Sequence, residues 1–320
     1  MEQYMCYVLF VIGLALIIKA GDCFVDAAVW VARATGIPNI IIGATLVSLC
    51  TTLPETVVSS VSAVKGLSDM AFGNAFGSIA FNTTFILGLT FLVSHPPIHD
   101  RSGFVKNTIF LLLLLVLTNL VFCFAGEFSR LFGLLLLGIL VLYMVFNVMT
   151  AKRGGEENRT EAVDKSARAA FRNIGMLLLG AAGITIGSNL LVTNGELIAK
   201  SLGVSELIIG LTITALGTSL PELVTAIQSM RKGAHDISVG NIIGADVLNI
   251  LLVMGLSSTI RPIRLQSFES AVFSMAVCFV IGAVVLWFGL FEKKNFTRTN
   301  GVILLSIYVV YITINVMYFS

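Results

Sequence analysis

Two glutamates, Glu55 and Glu222, each follow a proline inside strongly apolar sequence. A carboxylate surrounded by hydrocarbon costs roughly several kcal/mol, so its presence there points to a function. The residues around the two glutamates repeat. Gly43-Ala44-Thr45 leads to Thr51-Thr52-Leu53-Pro54-Glu55, then to Gly73-Asn74-Ala75-Phe76-Gly77-Ser78 and Asn82. Gly210-Leu211-Thr212 leads to Thr218-Ser219-Leu220-Pro221-Glu222, then to Gly240-Asn241-Ile242-Ile243-Gly244-Ala245 and Asn249. Glu222 follows Glu55 by 167 residues, as Asn241 follows Asn74 and Asn249 follows Asn82. Carboxylates at matching places in two repeats suggest one site built from both halves.

Each proline removes an N–H from its helix and presses on the carbonyl four residues back. The oxygens of Cys50 and Gly217 thereby lose their partners, and those of Thr51 and Thr218 are loosened nearby. Broken backbone at membrane depth is tolerated only against protein or a water-filled cavity. Freed carbonyls, hydroxyls and a carboxylate are hard oxygen donors, suited to sodium or calcium rather than zinc or copper. The plainer reading is a kinked helix whose hydroxyls bond back to their own turns. It suffices for Thr45, Ser59 and Ser60 but leaves the glutamates unexplained. Ser78 and Asn82 share a helix face, as do Ala245 and Asn249. Ser78, Asn82 and Asn249 are expected to point toward the other repeat's glutamate. Gly73, Gly77, Gly240 and Gly244 read as close-packing positions. Asn74 and Asn241 read equally well as ligands or as partners of a broken helix end.

These donors need elements to hold them. Of 320 residues 57% are hydrophobic and 12% charged, too apolar for a soluble domain. Mean hydropathy is +0.96. Apolar runs predict ten helices that cross a bilayer, over about 4–32, 39–65, 69–94, 104–125, 130–150, 173–199, 206–231, 236–259, 267–290 and 299–319. The first is read as a retained helix rather than a signal peptide. The predicted fold is an all-α membrane protein. Residues 1–150 form one five-helix repeat, 151–172 a polar linker and 173–320 the second repeat. An odd number of spans per half inverts the second repeat.

Basic residues favour one side. Lys65, Arg130, Lys200, Arg261 and Arg264 lie on the side of the N-terminus. Fourteen others, Arg33, Arg101, Lys106 and the linker's basic residues among them, lie opposite. The positive-inside rule then puts both termini outside and the linker in the cytoplasm.

A net charge of +2 with no basic face argues against nucleic acid. No phosphate-binding loop motif appears, so no nucleotide is expected. Five scattered cysteines read as small buried hydrophobes, not as a disulfide framework or metal pattern. Lys19, Asp22 and Asp26 read as an ion pair within or between helices. His95, His99 and His235 read as loop residues.

The two motifs, Thr51-Thr52-Leu53-Pro54-Glu55 with Gly73-Asn74 to Asn82, and Thr218-Ser219-Leu220-Pro221-Glu222 with Gly240-Asn241 to Asn249, resemble the paired α-repeats of the sodium/calcium exchangers. These belong to the calcium/cation antiporter superfamily. The resemblance covers essentially the whole chain. It implies that Glu55 and Glu222 are the central cation ligands. Thr51 and Thr218 would lend backbone carbonyls to calcium; Thr52, Ser78, Asn82 and Ser219 would lend side-chain oxygens to sodium. It also implies that the first and sixth spans move against the other eight. Three departures stand out: Thr52 for a usual serine, Ala245 for a serine, and Asn249 where many relatives have aspartate. The second repeat has Asp246 beside Ala245, three residues before Asn249. It either replaces the missing carboxylate among the cation ligands, beside Asn249, or pairs with something structural.

The expected function is therefore a secondary antiporter, not an enzyme. It would exchange sodium for calcium by alternating access at a midplane site, in the cell membrane, without cofactor, and as a monomer. Proton- or potassium-dependent calcium exchange is the nearest alternative. Phe76-Gly77 and Ile243-Gly244 stand where proton-coupled relatives usually carry a glutamate, which favours sodium. A membrane-embedded enzyme using Glu55 and Glu222 as acid and base is the more distant one.

Overall fold

Within hydrocarbon a backbone must bond its own carbonyls, and long runs of Leu, Ile, Val and Phe accordingly wind into helices. The structure, a computed structural model, describes residues 2–97, 99–154, 164–201, 215–266, 268–292 and 294–318. In chain order come α1 (Glu2–Thr35), α2 (Asn39–Thr51), α3 (Leu53–Lys65), α4 (Ser68–Ser94), α5 (Arg101–Ala125), β1 (Glu127–Phe128) and α6 (Arg130–Gly154). The second half holds α7 (Ala167–Ser201), α8 (Ala215–Thr218), α9 (Leu220–Arg231), α10 (His235–Ile260), β2 (Ile263–Arg264), α11 (Phe268–Phe291) and α12 (Arg298–Tyr318).

Among the described residues seven helices are long and apolar enough to cross a bilayer, and the α2–α3 pair makes an eighth. α12 and the α8–α9 pair hold the described parts of the two remaining expected spans. The start of the seventh expected span, from 206, lies outside the described residues. The sixth begins at Ala167 rather than 173, so helix occupies part of the expected linker.

The repeat is visible in local structure. Gly66 ends α3 at φ +78° and Gly233 follows α9 at φ +68°, a left-handed turn that favours glycine. The N–H of Gly66 bonds Ala63 O and that of Leu67 bonds Ser62 O. Gly233 and Ala234 repeat this with Met230 and Ser229, each 167 residues later. The inversion shows in the loops. β1 pairs antiparallel with β2, Glu127 opposite Arg264 and Phe128 opposite Ile263. The bridge between Pro97 and Asn295 joins the positions 167 residues before Arg264 and after Phe128. A repeat turned over in the membrane places such partner contacts at opposite ends of the bundle.

Two helices lie at the centre. The apolar window of α10 is 94% buried and that of α4 72%, against 44% or less for α1, α5, α6, α7 and α11. Most of the residues in those five windows are not buried within the protein. The long helices α1 and α7 pack antiparallel on each other through small residues. Gly187 meets Ile17 and Gly13, Gly183 meets Ala20, and Gly180 meets Phe24.

Several readings change. Asp22 and Asp26 pair not with Lys19 but with Lys232, at 2.8 and 2.6 Å, which ties α1 to the end of α9. Lys19 is exposed on α1. His99 pairs with Asp236 at 2.8 Å and His95 accepts a bond from Arg298 at 2.7 Å. His235 opens α10 rather than lying in a loop, because the left-handed turn at Gly233 leaves room for only one intervening residue.

Candidate cation-binding site

The site begins where two helices break. α2 and α3 meet at 46° around Thr52, with Pro54 in the first turn of α3. α8 and α9 break at Ser219, with Pro221 in the first turn of α9. Glu55 and Glu222 therefore occupy the first turns of two half-helices, whose unbonded N–H groups carry partial positive charge. Neither Thr52 nor Ser219 caps its helix, so both hydroxyls remain free for the site.

The opposing walls come from α4 and α10. Both contain a widened turn with i to i+5 bonding, over Asn82–Ile86 in α4 and Asn249–Met254 in α10. These turns start at the two repeat-related asparagines. Such turns often mark functional sites, since they leave backbone groups and side chains displaced from ordinary helical register. A third widened turn, Gly43–Val47, lies in α2, where Gly43 and Gly244 bring α2 and α10 together backbone to backbone.

Nine of the ten expected donors are buried: Thr51, Thr52, Glu55, Ser78, Asn82, Ser219, Glu222, Asp246 and Asn249. Thr218 is half-buried. Ser219 Oγ joins the repeats, lying 3.4 Å from Glu55 Oε1 and 3.2 Å from Ser78 Oγ. Thr51 Oγ1 reaches Asn241 Oδ1 across the α2–α10 contact at 3.2 Å. Glu222 lies beside the Thr51 and Thr52 hydroxyls and close enough to Glu55 for their charges to interact. Yet neither Glu222 oxygen makes a hydrogen bond of ordinary geometry. The same is true of Glu55 Oε2, Thr52 Oγ1 and both polar atoms of Asn82 and of Asn249. Buried polar atoms are normally paired, so this many orphans in one place mark a site for another partner.

The paired asparagines behave differently from each other. Asn74 Nδ2 donates to Glu55 O at 3.2 Å and to Ser59 Oγ at 2.8 Å, so it supports the broken helix. Asn241 bonds Thr51 and leaves its Nδ2 unpaired. Thr45 does bond back to its own helix, at Ile41 O. Ser59 does not. It bonds Ala71 O and Asn74 because it faces α4 rather than its own previous turn. Gly240 and Gly244 meet the backbone of α2 as expected. Gly73 and Gly77 meet no described atom, and their repeat-related partners fall in residues outside the described set.

Asp246 faces inward. It is fully buried, accepts a bond from Thr83, and lies against Asn82 within electrostatic range of Glu222. Thr83 was not among the expected donors. Its only signal in the sequence is that Ile250 holds the matching place in the second repeat. A cavity of about 670 Å³ beside α5 and α6, lined by Lys106, Phe110, Tyr143 and Phe146, touches none of these donors.

Comparison with known proteins agrees with this geometry. The family model described as sodium/calcium exchanger protein matches residues 5–149 and 172–317. Inner membrane protein YrbG of Escherichia coli is 39% identical over 260 residues, 79% of each chain. Sodium/calcium exchanger MaX1 of Methanosarcina acetivorans is 28% identical and covers 96% of this chain and 97% of its own. The sodium-calcium exchanger NCX_Mj, soaked with sodium and calcium, superimposes with a TM-score of 0.83 at 25% identity, over 97% of this chain and 98% of its own.

Proposed function

This chain belongs to the sodium/calcium exchanger family, a secondary antiporter exchanging sodium for calcium, and we propose that both ions use the buried donors around Glu55 and Glu222. The observation that carries this reading is the set of unpaired oxygens on the two glutamates, Thr52 and the two asparagines, at the junction of four broken or widened helices. Anionic and neutral oxygens in excess of their protein partners are what a cation stripped of water requires.

One set of donors explains exchange. Two carboxylates balance one calcium or two sodium ions, and leaving both unbalanced in a low dielectric is expensive. Empty donors therefore favour rebinding over crossing, and sodium and calcium compete for the same charges. Neither glutamate has exposed surface, so neither ion reaches the two carboxylates without a rearrangement of the helices. Alternating access would meet this need, and the resemblance to the exchangers implies that α1 and α7, which pack on each other and contribute none of the ten donors, move against the other spans.

The test is calcium flux in proteoliposomes with sodium, potassium and proton gradients imposed one at a time. An outward sodium gradient should drive calcium uptake, and potassium or proton gradients of the same size should not. Uptake driven by protons alone would overturn sodium coupling.

The charge asymmetry supports an orientation with both termini outside and the linker in the cytoplasm. Asp164 O accepts a bond from Trp30, near the end of α1 opposite the N-terminus, which supports a linker on that side. With native cysteines removed, a membrane-impermeant thiol reagent added to intact cells should label Arg261→Cys and spare Asp164→Cys. The opposite pattern would reverse the orientation.

A further inference from the structure

A strip of contacts fastens α1 to α9. Lys232 Nζ lies 2.8 Å from Asp22 Oδ1 and 2.6 Å from Asp26 Oδ1, and it donates to Asp22 O at 2.8 Å. One turn earlier on α9, Gln228 Nε2 donates to Ile18 O at 3.2 Å. One turn earlier again, Val224 packs on Gly21 so closely that a Cβ there would lie 2.7 Å from Val224 Cγ1. Glu222 stands two residues before Val224 in the same half-helix. α1 thus covers a flank of α9 between Glu222 and the end of the molecule where Trp30 meets Asp164.

The other repeat has the places for this strip but not its charges. Val57 and Val61 match Val224 and Gln228, Lys65 matches Lys232, and Asn189 and Thr193 match Asp22 and Asp26. All five are exposed. The lysine is kept, and both carboxylates that would face it are replaced by neutral side chains. In an inverted repeat the two access states interchange when each half takes the other's conformation. A contact built into both halves forms at one end in one state and at the other end in the other state, so its energy cancels between them. A charged contact built into one half does not cancel. The Asp22 and Asp26 side chains are 45% and 58% exposed, so the triad can part without stranding a buried charge.

Resting on the exchange reading above, we propose that Lys232, Asp22 and Asp26 form a latch that holds α1 on α9, closes the linker end of the path to Glu222, and biases the exchanger toward the state open at the opposite end. The latch opens each time α1 leaves α9, and Lys65 has no equal hold on α7 at the other end. Exposed ion pairs are individually weak, so two pairs on one lysine shift the balance of states about threefold to tenfold. A bias of that size decides which face offers the donors at rest and still allows turnover.

Reconstituted full-length protein with its native cysteines replaced tests this, carrying spin labels at Thr35→Cys and Ile227→Cys, exposed positions on α1 and α9. Their separation, read by double electron–electron resonance in sodium, counts docked and undocked α1. Lys232→Met should raise the undocked-to-docked ratio about threefold to tenfold, and Asp22→Asn with Asp26→Asn should match it. Lys232→Asp should raise the ratio at least as far, and adding Asp26→Lys should bring it back, because the exchange of charges rebuilds the triad. Asn189→Asp with Thr193→Asp gives Lys65 its missing partners and should raise the same ratio with the native triad intact. Docking of α1 that is the same in all these variants would overturn the latch. Should Lys232→Met not fold, an unchanged ratio in Asn189→Asp with Thr193→Asp overturns it equally. Flux separates the two readings. Wild-type calcium flux indifferent to sodium would defeat exchange, whereas sodium-driven flux with an unchanged separation in every folded variant would defeat the latch alone.

Discussion

Glu55→Gln and Glu222→Gln should each abolish calcium flux while leaving a folded protein. The amide matches the carboxylate in shape, so packing around α3 and α9 is undisturbed, and removing a buried charge relieves the empty site. The loss falls on the ion. Two unit charges about 4 Å apart in a medium of effective dielectric about 20 attract by about 4 kcal/mol, and a dication doubles that. An amide oxygen retains part of it, so calcium affinity should fall at least about a thousandfold. Both changes should be severe, because each glutamate keeps at least one oxygen without a hydrogen bond of ordinary geometry in the protein. The measurement is calcium uptake by proteoliposomes, paired with size-exclusion profile and melting temperature. Ordinary uptake by either folded variant would remove that glutamate from the site.

Gly244→Leu should yield no folded transporter. A Cβ at Gly244 would lie 2.5 Å from Ala44 O and 2.7 Å from the Ala44 carbonyl carbon, and one at Gly43 would lie 2.5 Å from Ile237 O and 2.8 Å from Asn241 N. Those neighbours are backbone and have no rotamer to change. α2 and α10 would have to separate, which parts Thr51 from Asn241 and opens the wall of the site. Overpacking of this kind costs about 1–3 kcal/mol for added methylenes, and more where nothing yields. Gly244→Ala should accordingly fold with a lowered melting temperature and reduced flux. Gly138→Ala is the control, since a Cβ there meets no described atom and alanine is the better helix former. Wild-type melting and flux in Gly244→Leu would mean that α2 and α10 do not meet as described.

The sequence by itself determined the ten-span, doubled architecture and the donors at its centre. Ten apolar runs separated by polar breaks admit little but helices in hydrocarbon, and a 167-residue offset shared by Pro54-Glu55 and Pro221-Glu222 marks matching places in two halves. Helical spacing also placed Ser78 and Asn82 together, because four residues return to the same face and no irregularity intervenes between them. Tertiary structure decided the rest. Whether Asn74 serves the ion or the broken helix depends on how α4 is rotated against α3, and rotation leaves no periodic trace in a helix that is polar or small on several sides. Lys232 displaced Lys19 as the partner of Asp22 because two distant helix ends meet, which local spacing does not report. Thr83 was missed because its partner, Asp246, comes from a helix 163 residues away, and local spacing does not report a contact between distant helices. Contact across the α4–α10 interface turned an ambiguous aspartate into an inward-facing one.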